Sequence, residues 1–264
     1  RLALAGLGTV GIGVLKMIRQ HADLIEARTG RAVTVSAVSA RSRDKDRGLS
    51  LNAYDWEDDP VAMATRDDVD VFVELMGGSD GPAKAATEAA LKAGKDVVTA
   101  NKAMLAIHGQ ALAEQAEGAD RCLRYEAAVA GGIPVIKALT EGLAGNEITR
   151  VIGVMNGTCN YILTRMQSAG LPYEDVFEEA NQLGYLEADP QLDVGGIDAA
   201  HKLTLLAAIA FAQTPQFDKV AISGIRDVSA VDFAYAAQLG FRIKLVGTAE
   251  PGRMPRMQTC LLPA

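Results

Sequence analysis

The chain has 264 residues, 49% of them hydrophobic and 22% charged, with a formal net charge of -7 at pH 7; it can bury a full core and is long enough for two domains. The acidic balance argues against a nucleic-acid partner, which needs a broad basic face to displace counterions from phosphates, and no apolar run has the length to cross a bilayer. Cys122, Cys159 and Cys260 are widely separated and lack both zinc-site spacing and the even count of a disulfide framework, so a cytoplasmic protein in a reducing compartment is expected.

The first half alternates short aliphatic runs with Ala-rich helical stretches. Leu2 to Ala5, Val33 to Ser39, Val71 to Leu75, Asp96 to Ala100 and Cys122 to Val129 read as strands, and Ile12 to Arg28, Pro82 to Ala93 and Gly109 to Glu117 as helices. Such alternation predicts βαβ units, and therefore an α/β domain with a doubly wound, Rossmann-type parallel sheet over residues 1–130. No Met precedes Arg1, and the chain opens inside a strand pattern, so residues before Arg1 are expected to be missing.

From Gly131 the pattern changes, and residues 131–264 are expected to form a second, α+β domain. Its predicted strands are Ile148 to Asn156, Val220 to Ile225, Phe241 to Thr248 and Met257 to Leu262; its predicted helices are Cys159 to Ala169, Tyr173 to Gly184, Ile197 to Ala212 and Ser229 to Leu239.

The first strand runs into Gly6-Leu7-Gly8-Thr9-Val10-Gly11. In this spacing the first glycine permits a tight turn, the second lets a pyrophosphate approach the backbone and the third lets helix pack on strand, with the helix amides left to bind the anion. Where an acid after the second strand would select NAD, the chain has Ser39-Ala40-Arg41-Ser42-Arg43. Arg41 suits a ribose 2′-phosphate, with Arg43, Lys45 or Arg47 adding positive potential, which favours NADP over NAD. The competing reading is a solvated loop balanced by Asp44 and Asp46. Gly77 and Gly78 follow the third long strand, and Thr99, Asn101 and Lys102 follow the fourth, at the edge where ligands of open α/β sheets bind.

The segment Gly184 to Lys202 strings Glu187, Asp189, Asp193 and Asp198 ahead of Lys202. Asp198 and Lys202 stand four residues apart and share a helix face. An acid cluster facing a lysine suits a substrate that carries an ammonium and a carbonyl to be polarised.

The glycine turn, Glu74-Leu75-Met76-Gly77-Gly78, Thr99-Ala100-Asn101-Lys102, Glu126 to Pro134, Asn156-Gly157-Thr158-Cys159-Asn160 and Ala180 to Lys202 together resemble the homoserine dehydrogenases, over nearly the whole chain. Those enzymes interconvert L-aspartate 4-semialdehyde and L-homoserine with NAD(P)H, in threonine, methionine and isoleucine biosynthesis. The resemblance implies Lys202 as general acid/base with Lys102 in the same site, Asp198 orienting Lys202, and Glu187, Asp193 and Tyr185 holding the substrate ammonium. It implies that Asn156, Gly157 and Thr158 lie beside the substrate. It also implies a homodimer and a monovalent-cation site, often sodium, formed by Glu126 with the carbonyls of Val129, Gly131 and Ile133. Similar enzymes continue past the position of Ala264, so residues are expected to be missing there too. Two other readings compete: a phosphorylating semialdehyde dehydrogenase with Cys159 as nucleophile and His201 as base, and a non-catalytic NADP-binding protein.

Overall fold

The computed structural model describes residues 1–186 and 189–264, in two units, Arg1–Val135 and Ile136–Ala264. In the first unit, β1 (Leu2–Ala5), β2 (Val35–Ser39), β3 (Asp55–Trp56), β4 (Val71–Glu74), β5 (Asp96–Thr99) and β6 (Leu123–Arg124) form one sheet. Its order is β3-β2-β1-β4-β5-β6 and every pair is parallel. This is the expected doubly wound order, with the strand sequence reversing direction beside β1. Leu4, Val38, Phe72 and Val97 in the strand centres are fully buried, as a sheet covered on both faces requires.

The connecting helices are α1 (Thr9–Gln20), α2 (Ala22–Thr29), α3 (Pro60–Ala64), α4 (Pro82–Lys92), α5 (Lys102–Gly118) and the single turn α6 (Glu126–Val129). Helix α4 starts with Pro82 at its first position and buries Ala83, Ala86, Thr87, Ala90 and Leu91, the three-and-four spacing of one helix face.

Several features of the first unit depart from the expected elements. The helix predicted over Ile12 to Arg28 begins at Thr9 and bends at His21 (φ -117°, ψ 23°). Beyond that bend α2 buries none of its residues, so nothing holds it in line with the buried Ile12 and Leu15. The strand predicted over Cys122 to Val129 pairs only at Leu123–Arg124. Its second half, with the helix-favouring Ala127 and Ala128, folds into α6, where the amides of Ala128 and Ala130 close a turn on the carbonyls of Tyr125 and Glu126. Helix α5 begins at Lys102, seven residues before the predicted Gly109, because Asn101 caps it by accepting a hydrogen bond from the Met104 amide at 3.1 Å.

The second unit begins with the short helix α7 (Val135–Lys137), which runs on from the first unit's last residue, and a π-helical turn, Ala138–Gly142. Strands β7 (Val151–Gly153), β8 (Ala221–Ile222), β9 (Phe241–Ala249) and β10 (Arg256–Pro263) follow in a sheet of order β7-β9-β10-β8. Only the β10 and β8 pair is parallel. Helices α8 (Gly157–Ala169), α9 (Tyr173–Gln182), α10 (Pro190–Val194), α11 (Ile197–Ala210) and α12 (Ala230–Gln238) complete the expected α+β unit.

Ile162, Leu163 and Met166 of α8 and Leu203 and Ala207 of α11 share one core with Ile243, Leu245 and Met257 of the sheet. Each large aliphatic side chain buried this way contributes about 1.5–3 kcal/mol. Among the described residues, no helix is long and apolar enough to cross a membrane.

Candidate active site

The glycine turn separates what the fold needs from what it leaves over. Gly6 has a positive φ of 103°, and a Cβ there would lie 2.3 Å from the carbonyl oxygen of Leu75; one on Gly11 would lie 1.9 Å from the carbonyl oxygen of Gly6. Close packing of β1, α1 and the loop after β4 therefore demands both. Gly8, at the start of α1, has nothing within 4 Å of where its Cβ would stand. The chain's own packing does not require a glycine there, but a pyrophosphate drawn onto the α1 amides does. Thr9 and Val10 are exposed on the first turn of α1, and the amide of Gly6 donates to the carbonyl of Ser39 at 2.8 Å, tying the turn to the end of β2.

At the ends of β4 and β5 a buried carboxylate joins two loops. Glu74 is fully buried. Its Oε1 accepts from the amides of Met76 (2.7 Å) and Gly77 (3.1 Å), and its Oε2 from the hydroxyl of Thr99. Thr99 Oγ1 accepts in turn from the amide of Asn101 at 2.9 Å, and Asn101 Nδ2 donates to the carbonyl of Gly78 at 2.7 Å. Gly77, Gly78, Thr99 and Asn101 are thus brought together, and Lys102 follows directly as the first residue of α5. Glu74 was not among the predicted site residues. Its signal was a carboxylate closing the otherwise apolar run Val71-Phe72-Val73.

After β2, Arg41 is exposed and makes no side-chain hydrogen bond or ion pair among the described residues. Arg47, expected to add potential beside it, is also committed to the fold. Its guanidinium donates to the carbonyls of Leu7, Ser42, Arg43 and Lys45 and lies 5.7 Å from the centre of the Trp56 ring.

In the second unit Lys202 Nζ donates to Asp198 Oδ2 at 2.9 Å and to the carbonyl of Met155 at 3.0 Å. Asn156 Nδ2 lies 3.1 Å from Asp198 Oδ2 and 3.1 Å from Asp193 Oδ1, while its Oδ1 caps α8 by accepting from the amide of Cys159 at 2.7 Å. That cap ends the predicted strand Ile148 to Asn156 early, leaving Val151–Gly153 paired. Thr158 Oγ1 donates to the carbonyl of Tyr185 at 3.0 Å, and the Tyr185 ring stands edge-on to Tyr161 at 4.9 Å.

Asn156, Gly157, Thr158, Tyr185, Asp193, Asp198 and Lys202 are therefore linked within one unit, and Glu187 lies outside the described residues. Gly195 is closely approached from within the unit: a Cβ on Gly224 would meet the Val194 carbonyl oxygen at 2.5 Å and the Gly195 Cα at 3.0 Å. Asp193 and Asp198 are 3% and 5% exposed, whereas the Lys202 side chain keeps 23% of its surface; the carboxylates are interior and the lysine side chain is only partly buried.

Cys159 is fully buried, and its thiol donates to the carbonyl of Asp193 at 2.9 Å. Burial first, then Asp193 and Asp198, push the thiol up to about 12. A thiol held neutral in the core is a poor nucleophile, which removes the basis for thioester chemistry. The proposed base, His201, is also buried and packs on the Phe217 ring at 4.3 Å.

Glu126, Val129, Gly131 and Ile133 fall within eight consecutive residues of the first unit. Glu126 heads α6 and Val129 ends it, while the Ile133 carbonyl accepts from the amide of Val135 at 2.8 Å. Among the described residues no group of three or more His, Cys, Asp or Glu gathers as metal ligands; a site of this kind relies on carbonyl oxygens, which suit a hard cation.

Comparison with known proteins agrees with both halves. The family described as homoserine dehydrogenase, NAD binding domain, matches residues 6–126, and the family described as homoserine dehydrogenase matches residues 134–264. The chain is 45% identical over 246 residues to homoserine dehydrogenase of Neisseria gonorrhoeae, covering 93% of this chain and 56% of that protein. A crystal structure of a homoserine dehydrogenase from Thiobacillus denitrificans superposes with a TM-score of 0.95 at 42% identity, covering 99% of this chain and 61% of that one. A candidate homoserine dehydrogenase from Archaeoglobus fulgidus gives 0.85 at 34% identity, covering 99% of this chain and 83% of that one. The chain spans less than two thirds of the length of the first two of these relatives, yet the two family matches together cover most of it: it belongs to the homoserine dehydrogenases and carries their NAD-binding domain.

Proposed function

We propose that this chain performs the homoserine dehydrogenase reaction, interconverting L-homoserine and L-aspartate 4-semialdehyde, with NADP preferred over NAD. The observation that carries the reading is the Lys202 ammonium, held by Asp198 and the Met155 carbonyl on a side chain that keeps 23% of its surface exposed. Two of its three N–H groups are engaged there, which leaves one to donate to a substrate oxygen. Residues 1–130 are the cofactor half, with Gly6, Gly8, Thr9, Val10 and Gly11 around the pyrophosphate, Arg41 at the ribose, and Gly77, Gly78, Thr99, Asn101 and Lys102 toward the nicotinamide. Residues 131–264 are the substrate and dimerisation half.

When bound, the nicotinamide cofactor supplies a hydride to the aldehyde carbon, or accepts one from the alcohol carbon. Lys202 gives a proton to the carbonyl oxygen during reduction and takes it from the hydroxyl during oxidation. Asp198 and Asn156 fix Lys202, while Asp193, Tyr185 and Glu187 favour the ammonium end of the substrate and Gly157 and Thr158 line its loop. Glu126 with the carbonyls of Val129, Gly131 and Ile133 holds sodium or a similar cation. The working form is a cytoplasmic homodimer, supported by exposed apolar Ile152, Val154, Tyr235 and Leu239 in the second unit.

The test is oxidation of L-homoserine followed at the reduced-nicotinamide band, with NADP and with NAD, in phosphate-free buffer. Phosphate-independent turnover that favours NADP supports the reading. Nucleotide binding without turnover favours a binding protein.

A further inference from the structure

Arg47 occupies the junction of two segments that a dinucleotide must meet together. Its Nε donates to the carbonyl of Leu7, inside the glycine turn, at 3.3 Å. Its Nη1 donates to the carbonyls of Lys45 (2.8 Å) and Arg43 (3.3 Å), and its Nη2 to that of Ser42. Four of the five N–H groups of a guanidinium are thereby spent on backbone. Its Cζ lies 5.7 Å from the centre of the ring of Trp56, which stands on β3 beside β2.

A loop of mixed charge, Arg41 to Arg47, would otherwise be a flexible surface segment. Here its carbonyls are gathered around one cation that also grips the neighbouring turn. The end of β2 is fastened to that turn a second time by the Gly6 amide on the Ser39 carbonyl at 2.8 Å, two residues before Arg41.

We propose that Arg47 is a positioning residue for nucleotide selection: by clamping the loop 41–47 onto the Leu7 carbonyl it holds Arg41 ready for a ribose 2′-phosphate, so that NADPH is chosen over NADH without Arg47 touching the phosphate. The order of the loop is set before binding, which spares the cost of ordering it on association. Only the planar fork of arginine can serve four carbonyls at once; the point charge of lysine cannot.

This inference rests on the nucleotide-binding half of the proposed function. It is tested by calorimetric titration of NADPH and NADH, without homoserine, into the full chain and its Arg41→Ala, Arg47→Ala, Arg47→Lys and Arg41→Ala/Arg47→Ala forms, with circular dichroism to confirm folding. Arg41→Ala and Arg47→Ala are each expected to lose NADPH affinity by ~10-fold or more, as a charged hydrogen bond does, while NADH binding stays within about twofold. Arg47→Lys is expected to behave as Arg47→Ala, and the double form to bind no more weakly than Arg41→Ala, the signature of two residues acting as one unit.

Should Arg47→Ala fail to fold, Arg47→Lys carries the same test. Wild-type affinity in Arg47→Lys, additive losses in the double form, equal losses for NADH and NADPH, or a parent chain that does not prefer NADPH would each overturn the proposal. A chain that selects NADPH in this way yet never oxidises homoserine would tell against the proposed reaction and leave the role of Arg47 supported.

Discussion

Lys202 Nζ lies 2.9 Å from Asp198 Oδ2 across one turn of α11, and of the two side chains the carboxylate is the buried one, at 5% exposure against 23%. On a surface helix such a pair is worth only a few tenths of a kcal/mol. Here the carboxylate also accepts from Asn156, so the acid is fixed and the lysine is aimed by it.

Asp198→Asn tests that aim with little change of size. The side chain loses its charge but still fills the same space. It is expected to lower kcat for homoserine by ~10–100-fold, the equivalent of ~1.5–3 kcal/mol for a charge-assisted hydrogen bond. KM for homoserine should move much less, because Asp198 acts through Lys202. A kcat within twofold of the parent, from steady-state kinetics, would show that Lys202 needs no such partner.

The three glycines of the turn should divide. Gly8→Ala is expected to fold with stability within about 1 kcal/mol of the parent, as a helix-cap change allows, yet to bind NADPH weakly because its methyl enters the space a pyrophosphate needs. Gly6→Ala puts a Cβ 2.3 Å from the Leu75 carbonyl oxygen and is expected to destabilise the first unit severely. Denaturant midpoints beside nucleotide titrations separate the two effects. Parallel losses of stability at Gly6 and Gly8 would contradict the distinction.

Cys159 supplies a pH signature. Its thiol is pushed from 9.0 up to about 12, chiefly by burial, so the folded state favours the neutral form more than the unfolded chain does. The stabilisation is therefore fully present below about pH 9 and is lost as pH rises toward 12, on the order of 4 kcal/mol in all. Cys159→Ala should lose less stability than the parent across that window when unfolding is followed in denaturant, and it should keep homoserine turnover. In the native protein a thiol reagent should label the exposed Cys122 before the buried Cys159. Loss of turnover in Cys159→Ala would revive nucleophilic chemistry.

Much of this was legible in the sequence because the informative signals are local. The Gly6, Gly8, Gly11 spacing, the aliphatic runs of β1, β4 and β5, and the four-residue step from Asp198 to Lys202 are all visible within short windows. The two-residue strand β3 and the five-residue helix α10 were not predicted, for they are too short to show a period; α10 depends on Pro190 and on Asp189, which accepts from the Gln191 amide at 3.1 Å.

Long-range partnerships were hidden for a different reason. Glu74 meets Thr99 across 25 residues of sequence and Arg47 meets Leu7 across 40. No spacing rule announces either, since only the stacking of parallel strands brings their ends together. Composition records the charge of Arg47 but not the four carbonyls that it serves.

The most direct measurement is turnover of L-homoserine with saturating NADP by Lys202→Met, set beside calorimetric NADPH binding to the same protein. The expected result is a kcat lowered by ~10²–10⁴, the usual range for a lost general acid/base, with NADPH affinity nearly unchanged. Near-normal turnover in Lys202→Met would contradict Lys202 as the proton-transfer group and, with it, the central reading of the site.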